Sequence, residues 1–140
     1  MDPDNPVIRL CVQGVEAESR QSHDEARALY ENAWRASRND VEACIAAHYI
    51  ARAQAEPMQM LWWNQVALAR ADQSRDPYVR SFYASLHLNL GIANEKLGQG
   101  AAARHHYKRA HEALDDITDP EQRRQVERGI YRGLSRTERS

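Results

Sequence analysis

The stretch Leu88–Ala110, "LNLGIANEKLGQGAAARHHYKRA", decides how this chain is read. Its periodicity is helical, yet Gly91, Gly98 and Gly100 fall inside it. Each glycine weakens a helix interior by about 1 kcal/mol relative to alanine. Three of them in so short a span point to a turn and to close backbone contact. Self-similarity along the chain supplies the reason. Gly14, Ala26, Tyr30 and Ala33 each have an identical residue 77 positions later, at Gly91, Ala103, Tyr107 and Ala110. A shift of 34 from the first set falls on His48, Met60, Asn64 and Ala67, a degenerate middle copy followed by about nine additional residues.

Helix formers dominate and β-branched residues are sparse. Pro6, Pro57, Pro77 and Pro120 stand where helices can begin. Asp40, Asp76 and Asp119 offer N-cap carboxylates, and Ser22 with Glu25 forms a capping-box pattern. The expectation is an all-α chain of seven helices, over about 6–20, 23–37, 41–54, 57–72, 77–97, 100–116 and 120–136, with short connections that favour antiparallel neighbours. The segment after Pro77 reads as one long helix, because its apolar periodicity continues through "YVRSFYASLHLNL". The last helix carries Val126, Ile130 and Leu134 on one face and charge elsewhere, which suits a cap on an otherwise open helical stack. Gly129 and Gly133 are read as permitting close approach to the helix before it.

"LNLGIANEKLG" followed by "AAARHHYKRA" resembles the tetratricopeptide repeat, a 34-residue helix-turn-helix unit. Leu90 and Gly91 match the family's leucine–glycine pair, Gly98 its turn glycine, and Ala103, Tyr107 and Ala110 its small–aromatic–small triplet. The resemblance covers residues 7–114. It implies one domain over 1–140, with antiparallel hairpins stacked as an α-solenoid: repeats at about 7–40, 41–73 and 77–116, then a capping helix over 120–136. It also implies a non-catalytic scaffold or adaptor that binds a peptide or protein segment on a concave groove. By register that groove contains Val12, Val15, Ile45, Tyr49, Arg52, Leu88, Asn89, Ile92 and Lys96. In members that grip a C-terminal carboxylate, a set of polar side chains does so. Only Asn89 matches that set here, with Cys11, Val15, Ala46 and Ser85 at the other positions, which argues against that subclass.

The remaining chemistry is sparse. Nineteen lysines and arginines nearly balance twenty acids, which removes the electrostatic reason for a nucleic-acid or anionic-membrane partner of the whole molecule. No basic leader and no long apolar run stand in the sequence, so the reading is a cytoplasmic protein with no membrane partner. Cys11 and Cys44 form no CxxC pair and read as reduced core thiols. His87, His105, His106, His111 and Glu112 lack metal-ligand spacing, and no phosphate loop, serine elbow or HExxH motif occurs. The expectation is no enzyme, no cofactor and no metal.

Two further surfaces stand out. Trp62 and Trp63 are adjacent and diverge by about 100° on a helix, so one can serve a homo-oligomeric interface while the helix from Pro77 covers the other. Arg124, Arg128 and Arg132 form a stripe that a regulatory subunit could present to an acidic partner. Glu121, Glu127 and Glu138 dilute its field, so a solvated helix face is the simpler account.

Overall fold

A computed structural model describes residues 2–139. Within them the chain forms seven α-helices and no strand: α1 (Pro6–Ser19), α2 (His23–Ala36), α3 (Asp40–Arg52), α4 (Pro57–Gln73), α5 (Tyr83–Lys96), α6 (Gly100–Glu112) and α7 (Pro120–Arg136). Packing follows chain order. The most extensive contacts join α1 to α2, α3 to α4 and α5 to α6, and α7 rests on both α6 and α5.

Tyr30 and Tyr107, which are fully buried, lie at the centre of the first and third pairs. A Cβ added at Gly14 would collide with the Tyr30 ring, and one at Gly91 would come within 2.5 Å of Tyr107 Cε1. Each glycine therefore lets an aromatic ring lie against helix backbone. The two hydroxyls complete the same arrangement: Tyr30 donates to Glu18 Oε1 and Tyr107 to Glu95 Oε1, both at 2.6 Å. Each glutamate also holds an arginine from the following helix. Arg52 on α3 reaches Glu18 at 2.9 Å, and Arg136 on α7 grips Glu95 through two nitrogens at 2.7 and 3.1 Å. One Tyr–Glu–Arg chain thus links α1, α2 and α3, and another links α5, α6 and α7. Glu18 and Glu95 are themselves 77 apart, an identity of the repeat that the glycine and tyrosine matches had left aside.

The turns repeat as well. After α1, the amides of Gln21 and Ser22 donate to the carbonyls of Glu18 and Ala17 at 2.9 Å; after α5, those of Gly98 and Gln99 donate to Glu95 and Asn94 at 3.0 and 2.9 Å. This is the paired bonding of a left-handed helix stop. Gly98 sits at φ +76°, and Gln21, at the matching position, is the one non-glycine residue with positive φ among the described residues, at +62°.

Several local expectations need correction. Ser22 makes no side-chain cap, and because its amide already donates to Ala17 O, Glu25 cannot bond back to it and pairs with Arg20 instead. Asn39, not Asp40, caps α3 by accepting from Glu42 N at 2.9 Å; Asp40 lies inside the helix and binds Arg70 at 3.0 Å. Asp76 and Asp119 cap as expected. The helix from Pro77 is not continuous: Pro77–Phe82 forms a 3-10 helix before α5 begins, and Leu114–Asp116 forms another beyond α6. Gly133 does admit the preceding helix, since its missing Cβ makes room for the Tyr107 ring. Gly129 instead faces Leu88 of α5, whose Cδ2 would lie 3.0 Å from a Cβ there.

The middle pair keeps its register despite its altered residues. Asn64 and Ala67 are buried where Tyr30 and Ala33 are buried in the first pair. Trp63 meets Trp34 of α2 edge to face, with centroids 5.3 Å apart, and packs on the same apolar cluster as Phe82 and Tyr83. Trp62 remains 53% exposed.

Two substitutions test the turn and the ring contact. Gln21→Gly should raise stability by about 1 kcal/mol in urea unfolding, because a side chain is disfavoured at that φ. Gly91→Ala should lower it by more than about 2 kcal/mol, since Tyr107, pressed between Gly91 and Gly133, has nowhere to move.

Candidate functional site

Two hollows lie side by side on the face made by α1, α3 and α5. The first, of about 200 Å3, is mostly apolar, walled by Ile8, Cys11, Ile45, Phe82 and Leu86. The second, of about 400 Å3, is also mostly apolar, with Met60, Leu88, Ile92 and Val126, and adds the polar side chains of His48, Asn64, Asn89, Gln122 and Gln125. His48, Ser85 and Gln122 border both. The amino-terminal half of α7 supplies Gln122, Gln125 and Val126, so this helix bounds the groove as well as covering α6. Nothing in the sequence period signals that placement, because it depends on the tilt of α7 across α5.

Of the residues expected in a groove, Val12, Ile45 and Tyr49 line the first hollow, while Arg52, Leu88, Asn89 and Ile92 line the second. Val15 and Lys96 line neither. Tyr49 and Arg52 also have structural duties. Tyr49 stacks on Tyr30 at 5.3 Å, and Arg52 holds Glu18 while its guanidinium lies 5.9 Å from the centre of the Tyr49 ring. Missed by the register argument were His48, Ser85 and the α7 glutamines.

His48 is a neutral side chain. Burial, with the Arg52 charge adding to it, pulls its pKa down to about 4. Asn89 Nδ2 donates to its Nδ1 at 3.3 Å, which leaves the proton on Nε2. Cys11 and Cys44 are free and buried in the first hollow, and burial pushes both thiols up to about 12, so neither is a ready nucleophile. Tyr107 is likewise raised to about 12 by burial and by the Glu95 carboxylate.

The other histidines lie apart from the groove. His87 and His106 bring their Nδ1 atoms within 3.1 Å, and burial, aided by His106 and Arg109, lowers His87 to about 4. His105 lies edge-on to His106, whereas His111 contacts the Tyr131 hydroxyl at 3.3 Å. Among the described residues no three His, Cys, Asp or Glu side chains gather as metal ligands. Nor is any helix long and apolar enough to cross a membrane.

On the outer faces, Arg124 pairs with Glu121 at 2.8 Å, and Arg128 and Arg132 are exposed. Met58, 62% exposed, stands one turn before Trp62 on α4. No protein-family model matches the chain, and neither the curated proteins nor the solved structures yield a match.

Three histidines contribute to the acid response: His48 and His87, lowered to about 4, and His106, lowered by burial with the His105 and Arg109 charges adding to it. Between their free value of 6.5 and about 4, the unfolded chain binds protons that the folded chain refuses, so stability falls as pH drops through that window. Urea midpoints should decline from pH 7 to pH 4.5, and the decline should flatten in the His48→Gln, His87→Gln double variant.

Proposed function

We propose that the chain is a non-catalytic, tetratricopeptide-like adaptor that binds a protein or peptide segment in the groove formed by α1, α3 and α5. The observation that carries this reading is the pair of adjoining hollows on one face, both mainly apolar and the second also bearing several hydrogen-bonding side chains. Apolar walls supply affinity on exclusion of water, and a few fixed hydrogen-bonding groups orient the bound segment. The family reading is supported by the doubled Gly–Tyr–Glu arrangement and by the repeated left-handed stop. A solenoid of three hairpins and a cap is the architecture that accounts for both. The cytoplasm suits two reduced thiols held in a core.

Because Tyr49 and Arg52 brace the fold, the groove is better tested elsewhere. Val12 is 51% exposed in the first hollow, and Gln122 is exposed where the hollows meet. A protein captured on the immobilised chain should bind at least tenfold more weakly to Val12→Glu and Gln122→Glu, in steps of about 1.4 kcal/mol per decade. Their unfolding midpoints should stay unchanged. Undiminished affinity in both variants would remove the groove from the account.

A second reading rests on Met58 and Trp62, which expose apolar surface along one side of α4. They would form a contact between copies of the chain. Sedimentation should then show a dimer that Trp62→Ala converts to monomer. A monomer at every concentration excludes this reading.

A further inference from the structure

The middle pair departs from its neighbours at the place where they are most alike. The first and third pairs set Tyr30 against Gly14 and Tyr107 against Gly91. At the corresponding positions of the middle copy stand Asn64 and His48. Asparagine is too short to fill the space a tyrosine ring takes, and both residues line the larger hollow.

Just behind its wall lies an unmet hydrogen bond, on an oxygen with almost no surface of its own open to solvent. Asn64 is 2% exposed, and its Nδ2 donates to Met60 O at 2.9 Å. Its Oδ1 has no partner, alone among the buried side-chain polar atoms of the described residues. Leaving such an oxygen bare costs about 1–3 kcal/mol, and an unsatisfied buried group in a folded protein calls for an explanation. Nearby, His48 offers a donor at Nε2, because its Nδ1 is taken by Asn89. The charge of Arg52 at the rim is engaged by Glu18. Gln122, Gln125, Asn89 and Ser85 are uncharged. A ligand here meets one acceptor, one donor, neutral amides and an apolar side chamber.

We propose that this hollow receives an uncharged carboxamide carried on an apolar group. Its N–H donates to Asn64 Oδ1 once a rotation of that side chain turns the oxygen to the hollow, its carbonyl accepts from His48 Nε2, and the apolar part occupies the chamber walled by Ile45, Phe82 and Leu86. An asparagine or glutamine side chain of a bound segment presents this chemistry, and so does a small free amide. The first source rests on the adaptor reading; the hollow itself does not.

The test titrates the full chain with benzamide, observed by amide chemical-shift changes, beside methyl benzoate, which keeps the ring and carbonyl but has no N–H, and benzoate, which adds a charge. Benzamide should perturb His48, Asn64 and Asn89 and bind about tenfold more tightly than either control. Asn64→Leu should abolish that preference. Ser85→Met, which fills the junction of the chambers, should weaken benzamide without reference to Asn64. Equal binding of benzamide and methyl benzoate, shifts confined to other faces, or a preference that survives Asn64→Leu would overturn the proposal. A capped Leu-Gln-Leu peptide, compared with Leu-Glu-Leu, separates the sources. Preference for the glutamine peptide assigns the carboxamide to a protein segment, and preference for benzamide alone assigns it to a small molecule. If benzamide fails while a captured protein still depends on Val12 and Gln122, the adaptor reading stands and the carboxamide site falls.

Discussion

A tyrosine ring laid against glycine backbone, with its hydroxyl anchored to a glutamate one turn further along the same helix as that glycine, organises both ends of this molecule. Removing the Cβ at Gly14 and Gly91 brings α2 and α6 close enough for the ring to be fully enclosed. Enclosure then obliges the hydroxyl to find an acceptor, since a buried polar group without one is costly. Glu18 and Glu95 provide it, and their remaining charge draws Arg52 and Arg136 from the next helix. The arginine partly neutralises a carboxylate held beside an aromatic core. Close packing, hydrogen bonding and charge compensation are therefore successive demands of one contact.

The two ends are alike in this chain but differ in what covers the ring. Tyr30 is faced by Tyr49, which stacks on it at 5.3 Å, whereas Tyr107 is faced by Gly133, whose lack of a side chain lets α7 press close. The first solution places an aromatic residue on the groove side, and the second brings the last helix near enough for its amino-terminal half to reach over the groove. Between them, α5 serves two cores. Leu86 belongs to the cluster built from α1 to α4, while Ala84 belongs to the one built from α6 and α7. That sharing makes the groove a property of the whole helical array rather than of any one pair.

The groove is consequently neither a flat face nor an open channel. Where the middle pair carries His48 and Asn64, the groove's chemistry is neutral: a histidine kept uncharged by burial, several amides and an unsatisfied oxygen. Charged side chains at its edge are largely committed to holding helices together. A site of this kind discriminates by hydrogen-bond pattern and shape, with electrostatic steering a minor contributor.

The sequence by itself determined the helices, the places of the two buried tyrosines and the glycine stop at Gly98, because periodicity, backbone freedom and an identity at a spacing of 77 are local properties of the chain. It also carried, unread, the Glu18–Glu95 match and the unusual demand placed on Gln21, both visible at the same spacing. It misassigned the caps at Ser22 and Asp40: the Ser22 amide that Glu25 would have taken is bonded to Ala17, and the Asn39 side chain holds the Glu42 amide. Only the tertiary structure decided that Arg52 is a brace, that Trp34 meets Trp63, that α7 borders the groove and that Asn64 faces a hollow. Each of those outcomes depends on the distance and tilt between helices remote in sequence, which no repeat spacing encodes.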